Sequence, residues 1–184
     1  MFLQLQFNFA TLQHFNVTTA IQHFNNFMKI TFLTVGKTDE AWLKEGIAKY
    51  VTRLKHYTRL TVVEIEELKN TKNLHRDEQN VKEGELILKK IMPLDHVILL
   101  DENGTQFSSQ QFAAYIDKKT LGSVDHLVFV VGGPFGFSRN VYDRANDKMS
   151  LSCMTFSHQM VRLFFVEQLY RAFTILKGEP YHHE

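Results

Sequence analysis

HLVFVVGGPFGF, residues 126–137, is an apolar strand that runs straight into Gly132, Gly133 and Pro134. The glycines let backbone come close to a ligand, and Pro134 fixes the direction of the chain beyond them. Taken alone, the motif reads equally well as a strand-to-helix turn with no ligand. A phosphate loop would need GxxxxGK[ST] and a dinucleotide fingerprint GxGxxG, and neither occurs.

Working outward, strands and helices alternate. MKITFLTVGK, from Met28, has the length and alternation of a buried first strand, with Gly36 and Lys37 as its turn. Thr38 or Asp39 is positioned to cap the next helix, EAWLKEGIAKYVTRLKHY, whose apolar positions Trp42, Ile47, Tyr50, Val51 and Leu54 recur near helical period. LTVVEIEEL reads as a strand, KNTKNLHRDEQ as a loop without periodicity, and QNVKEGELILKKIM as a helix stopped by Pro93. Strand DHVILLD, turn ENGT and a helix opening on the capping-box pattern SSQQ at Ser108 to Gln111 follow. After the glycine turn come a short helix in SRNVYDRAND, strand KMSLS and a long terminal helix. This order predicts an α/β fold with a parallel sheet covered by helices on both faces. Ligands in such sheets bind beyond the carboxyl ends of strands. The candidate site therefore lies at Leu99 and Leu100 before Asp101, at Val131 before Gly132, and from Leu151 onward.

LSCMTFSHQ, residues 151–159, carries the stronger ligand signal, because apolar side chains alternate with small polar ones whose backbone groups stay available. An adenine would fit there between apolar walls, held by main-chain hydrogen bonds. Cys153 has no local signature of a catalytic dyad and reads as a small hydrophobe. His158 stands beside the loop at the first turn of the last helix, either as a structural residue or as a functional one. His182 and His183 lack the accompanying ligands of a metal centre, so no metal is expected.

The terminal helix, HQMVRLFFVEQLYRAFTILKG, is apolar on two sides. One stripe holds Val161, Phe164, Phe165, Leu169, Ala172, Phe173 and Leu176, and a second holds Met160, Leu163, Val166 and Tyr170. Such a helix is covered twice, which in a domain this small predicts a two-fold dimer. Arg162 and Arg171 interrupt this surface and need anions or carbonyls as partners, supplied by a second subunit or by substrate phosphate.

The chain of 184 residues, 44% hydrophobic, can bury one good core, predicting a single domain over 28–184. A lone cysteine and the absence of a membrane-length apolar run point to a reducing cytoplasm and no membrane partner. With a formal charge of +1, any nucleic acid must be met by a local basic face. Lys49 and Arg53, one helical turn apart, are the candidates, with a merely solvated face as the alternative. The first 27 residues contain no Lys, Arg, Asp or Glu and fit neither a secretory nor a transit signal. They read as an atypical leader or a misassigned start, with Met28 as the plausible initiator.

The motifs MKITFLTVGK, VILLDENG, FVVGGPFG and LSCMTFSHQMVRLFFVEQLYRAF, with the closing YHHE, together resemble the RlmH (YbeA-like) ribosomal RNA methyltransferases of the SPOUT superfamily. The resemblance spans Met28 to Glu184. It implies a deep C-terminal trefoil knot, a homodimer, and S-adenosylmethionine as methyl donor. It also implies methylation of N3 of pseudouridine 1915 of 23S rRNA in the assembled 70S ribosome. Carried over by motif, the cofactor contacts would be Leu100, Gly132 and the run Leu151, Ser152, Cys153, Met154, Thr155 and Phe156. His158, Tyr181 and His182 would surround the target base, one subunit's tail completing the other's cofactor pocket, and Arg162 would orient the backbone or stabilise the deprotonated ring. Where this chain has His183, family members often have Arg. Another RNA acceptor, such as tRNA, or a ribosome-binding dimer without catalysis are the alternatives.

Overall fold

The computed structural model describes residues 28–69, 74–122 and 124–181. The leader expected over the first 27 residues, and His182 to Glu184, lie outside the described residues. Five strands form one sheet in the order β2-β1-β4-β3-β5, every neighbouring pair parallel. They are β1 (Lys29–Val35), β2 (Arg59–Ile65), β3 (His96–Gln106), β4 (His126–Val131) and β5 (Asp147–Ser150). The helices are α1 (Ala41–Leu54), α2 (Arg76–Leu88), α3 (Ser109–Leu121), α4 (Arg139–Arg144) and α5 (His158–Leu176).

The two-residue period of the strands divides the core. Ile30, Phe32, Ile98, Leu127, Phe129 and Val131 face α1, α3 and α5. Leu33, Val35, Val97, Leu99, Val128 and Val130 face α2 and α4. Both faces are thus covered, as the alternation of elements predicted. Phe165 of α5 anchors the first face, with its ring 4.6 Å from Phe32 and 4.7 Å from Phe129. Truncating so enclosed a ring to alanine costs about 3–5 kcal/mol.

Local signals held in places. Ser108 Oγ accepts from Gln111 N while the Gln111 side chain accepts from Ser108 N, completing the capping box. Gly36 adopts φ 82°, a left-handed turn that glycine makes without strain.

Four expectations need correction. Trp42 is 55% exposed, and its neighbour Leu43 packs inward instead, buried to 1%. Thr38 does not cap α1; its Oγ1 accepts from Arg162, leaving Glu40 at the cap position with no side-chain hydrogen bond. α2 begins at Arg76, inside the segment read as loop, because Asp77 and Glu78 suit the positive first turn of a helix. The strand β3 runs on through the expected turn ENGT, and its register with β5 shifts between Leu100 and Thr105. Gly104 permits this: a Cβ there would lie 2.5 Å from the backbone of Met149.

Candidate functional site

The carboxyl ends of β3, β4 and β5 enclose a cavity of about 420 Å³, within the size range of small-molecule sites. Each wall follows from a local break in regular structure. On β3, the register shift lifts Asp101, Glu102 and Asn103 out of the ladder with β5 and into the wall. On β4, the strand ends into Gly132 and a tight loop, with Gly136 N donating to the Gly133 carbonyl at 3.2 Å. A Cβ on Gly132 would stand 2.8 Å from the Gly136 carbonyl oxygen, so the loop closes only around glycine. After β5, Ser150 Oγ donates to the Ser152 carbonyl and Ser152 Oγ accepts from Met154 N, at 2.8 and 2.9 Å. These short bonds curl the loop towards Ser157, whose Oγ accepts from Met160 N and caps α5.

Of the residues that sequence motifs nominated for a cofactor, Leu100, Gly132, Leu151, Ser152, Met154, Thr155 and Phe156 all line this cavity. Cys153 does not; its exposed thiol lies 3.0 Å from Gln106 Nε2. His158 lines the cavity at the start of α5.

Arg162 and Tyr181 are elsewhere. Arg162 is 1% exposed and donates from Nη2 to the Val35 carbonyl at 2.8 Å and from Nη1 to Thr38 Oγ1 at 3.0 Å. Burial pulls its guanidinium below the ordinary value, opposed by the charges of Glu64, Asp39 and Glu67. Tyr181 lies against α1 and α5, its hydroxyl 3.2 Å from that of Tyr50 and 3.1 Å from Glu167 Oε1. Burial, the Tyr50 hydroxyl and the Glu167 charge push the Tyr181 phenol far above its usual value. Arg171 pairs with Glu167 at 2.7 Å and covers the Tyr181 ring at 4.8 Å. The candidate His182 lies outside the described residues. On α1, Lys49 is exposed, whereas Arg53 stacks over Tyr50 and Tyr170 at 5.7 and 5.5 Å.

Sequence reading missed several cavity residues. Asp101 and Glu102 directly follow the last core residues of β3, so the strand-end rule extends to them. Tyr142 of α4 donates its hydroxyl to Asp101 Oδ2. Burial, with that bond and the Asp101 charge, pushes the phenol above its usual value. Arg76 of α2 stacks over Phe135 at 5.1 Å beside the glycine loop. Nothing local marked these two. Among the described residues, no three His, Cys, Asp or Glu side chains converge to hold a metal, and no helix is long and apolar enough to cross a membrane.

Both flanks of α5 are partly covered within the chain, by α1 and α3. A Cβ at Gly46 of α1 would stand 3.0 Å from Leu163 Cδ1, so the two helices approach closely there. Two apolar sides on α5 therefore do not by themselves demand a second subunit.

A family model described as "Predicted SPOUT methyltransferase" matches residues 28–182. The chain is 57% identical over 156 residues to the ribosomal RNA large subunit methyltransferase H of Christiangramia forsetii, covering 85% of this chain and 99% of that protein. It is 54% identical over 157 residues to the protein of that name from Parabacteroides distasonis, and 55% identical over 157 to that from Phocaeicola vulgatus. Each of those two matches covers 85% of this chain and 100% of the relative. With the family pattern spanning the sheet, the glycine loop and the terminal helix, the chain belongs to the SPOUT methyltransferase family.

Proposed function

We propose that this protein methylates ribosomal RNA of the large subunit, taking the methyl group from S-adenosylmethionine and placing it on N3 of pseudouridine 1915 of 23S rRNA in the assembled ribosome. The observation that carries the reading is the cavity at the ends of β3, β4 and β5. Leu100, Gly132 and the 151–156 loop, Cys153 apart, wall it, in a chain that matches relatives named ribosomal RNA large subunit methyltransferase H over 99–100% of their length. The residues suit the donor: Leu100, Leu151 and Phe156 offer apolar walls to an adenine, and Asp101 and Glu102 offer negative charge to a cationic ligand.

S-adenosylmethionine, when bound, supplies a methyl group already activated by its sulfonium. The protein's share is alignment and proton management. N3 of a uracil-type ring carries a proton near neutral pH, so a base has to take it. His158 is the imidazole that reaches the cavity among the described residues, and it is assigned to that proton. Arg162 acts indirectly, tying α5 to the end of β1 and so holding His158 in place. Tyr181, seated on α1 and α5 of its own chain, leads the tail towards the cavity of a second subunit in a homodimer. Trp42, 55% exposed at the start of α1, supplies apolar surface for that contact. The trefoil knot belongs to the same reading, with the glycine loop and the 151–156 loop as its cofactor-holding segments. The protein acts in the cytoplasm as a single domain over 28–184, with Lys49 and Arg53 as a local RNA contact.

Incubation with methyl-labelled cofactor and separate fractions of 70S ribosomes, free subunits and tRNA tests the substrate. Label is expected in 23S rRNA of 70S ribosomes; label in tRNA alone overturns the assignment.

A further inference from the structure

Behind the glycine loop, on the side away from the cavity, lies a buried acid. Glu83 of α2 is 4% exposed, and its Oε1 accepts from Gln79 Nε2 at 2.8 Å. Its Oε2 is buried with no hydrogen-bond partner among the described residues. The carboxylate presses on Gly133: a Cβ there would stand 2.3 Å from Oε2 and 2.9 Å from Cδ. Gly133 lines the cavity, so one layer of backbone separates Glu83 from the ligand space.

The surroundings are built around this contact. Asn80, one turn earlier on the same helix face, donates to the Phe135 carbonyl at 3.0 Å and holds the loop against α2. Gly84 makes room for Ser138, whose Oγ also lacks a partner among the described residues. A buried, half-satisfied carboxyl is costly unless something supplies opposite charge. Burial and the charge of Glu67 push the Glu83 carboxyl above its ordinary value, while the Gln79 bond pulls it down. Glu67 is the charged neighbour on its own side, and across the loop the cavity presents Asp101, Glu102 and Arg76.

We infer that Glu83 is a specificity-determining residue of the methyl-donor cavity, favouring the cationic sulfonium over the neutral thioether that remains after transfer. It acts through Gly133 without touching the ligand. The Glu83 carboxylate, one backbone layer behind Gly133, balances the charge of the bound sulfonium, and at mildly acid pH whatever fraction of Glu83 is protonated gives its proton to solvent as the sulfonium binds. After transfer the positive charge is gone, that fraction regains its proton, and the product is held less tightly. The inference rests on the cavity binding S-adenosylmethionine.

Calorimetry on the full chain, with S-adenosylmethionine and S-adenosylhomocysteine, tests it. Titrations in two buffers of different ionisation enthalpy, at mildly acid pH, count the protons released. Wild-type protein is expected to release more protons to the sulfonium than to the thioether. Glu83→Gln keeps the acceptor for Gln79 and the shape of the side chain. It is expected to lose about tenfold in affinity for the sulfonium, the scale of one charge acting across a backbone layer, and little for the thioether. Equal losses for both ligands, or equal proton release to both by the wild type, overturn the role of Glu83. Wild-type protein that binds neither ligand overturns the cavity reading and this inference together.

Discussion

Arg162 Nη2 donates to the carbonyl oxygen of Val35 across 2.8 Å, joining the early turns of α5 to the last residue of β1. This bond links the helix that carries His158 to the sheet that carries the cavity. Replacing Arg162 with Met leaves the Val35 carbonyl without that donor in the core. We expect a loss of about 2–3 kcal/mol of unfolding free energy, read by urea denaturation. An unchanged midpoint would contradict the anchoring role.

Gly132→Val tests the cavity wall. The new side chain would meet the Gly136 carbonyl oxygen at 2.8 Å and the Phe137 ring at 3.1 Å, so the loop must open. S-adenosylmethionine binding is expected to fall at least tenfold, with overpacking costing about 1–3 kcal/mol of stability. Calorimetry and thermal unfolding read the two effects separately.

Gly104→Ala acts through strand pairing. Its methyl would lie within 2.5 Å of Met149 backbone atoms, which cannot swing aside as the end of a side chain could. β3 and β5 are expected to separate locally, at a cost of about 2 kcal/mol or more. Faster amide exchange at Met149 and Ser150 is the accompanying sign.

At the opposite end of the sheet, Asp147 Oδ2 accepts from Lys119, His96 and Tyr115 at 2.7–2.8 Å. Burial alone would raise its carboxyl, but those three bonds outweigh burial and hold it at about 2. The folded group titrates below the unfolded one, so its stabilisation is present above about pH 4 and fades as pH falls towards about 2. Asp147→Asn is expected to cost about 1 kcal/mol at pH 7, allowing for solvent screening of this partly exposed site. The difference from wild type should vanish near pH 2. A constant difference across that window would refute the ion-pair account.

Removing Tyr181 to Glu184 is expected to abolish methyl transfer to ribosomes while the dimer persists. Light scattering and the labelled-methyl assay decide together. Full activity in the truncated protein would take the tail out of the mechanism.

Features set by short-range patterns were legible from residues alone. The apolar run 126–131 became a central strand, and Gly132 stands at its carboxyl end in the cavity wall. Ser108 and Gln111 formed the capping box because both partners lie within one turn. What escaped depends on distant chain. Glu83 sits in VKEGEL, where an acid reads as part of a solvated helix face; only packing against Gly133 makes it buried. Trp42 looked like core by size and period, yet α1 turns Leu43 inward instead. The passage of β3 through ENGT depends on Gly104 meeting Met149, a partner far along the chain. Arg162 was visible as an anomaly in an apolar helix, but its acceptors, on β1 and the turn after it, were not.

The central claim is tested most directly by treating unmethylated 70S ribosomes with this protein and S-adenosylmethionine, then locating the new methyl group by mass spectrometry of nuclease fragments. The account predicts one methyl per ribosome, on N3 of pseudouridine 1915 of 23S rRNA. A methyl group at another nucleotide, or transfer to tRNA with none to the ribosome, would contradict it.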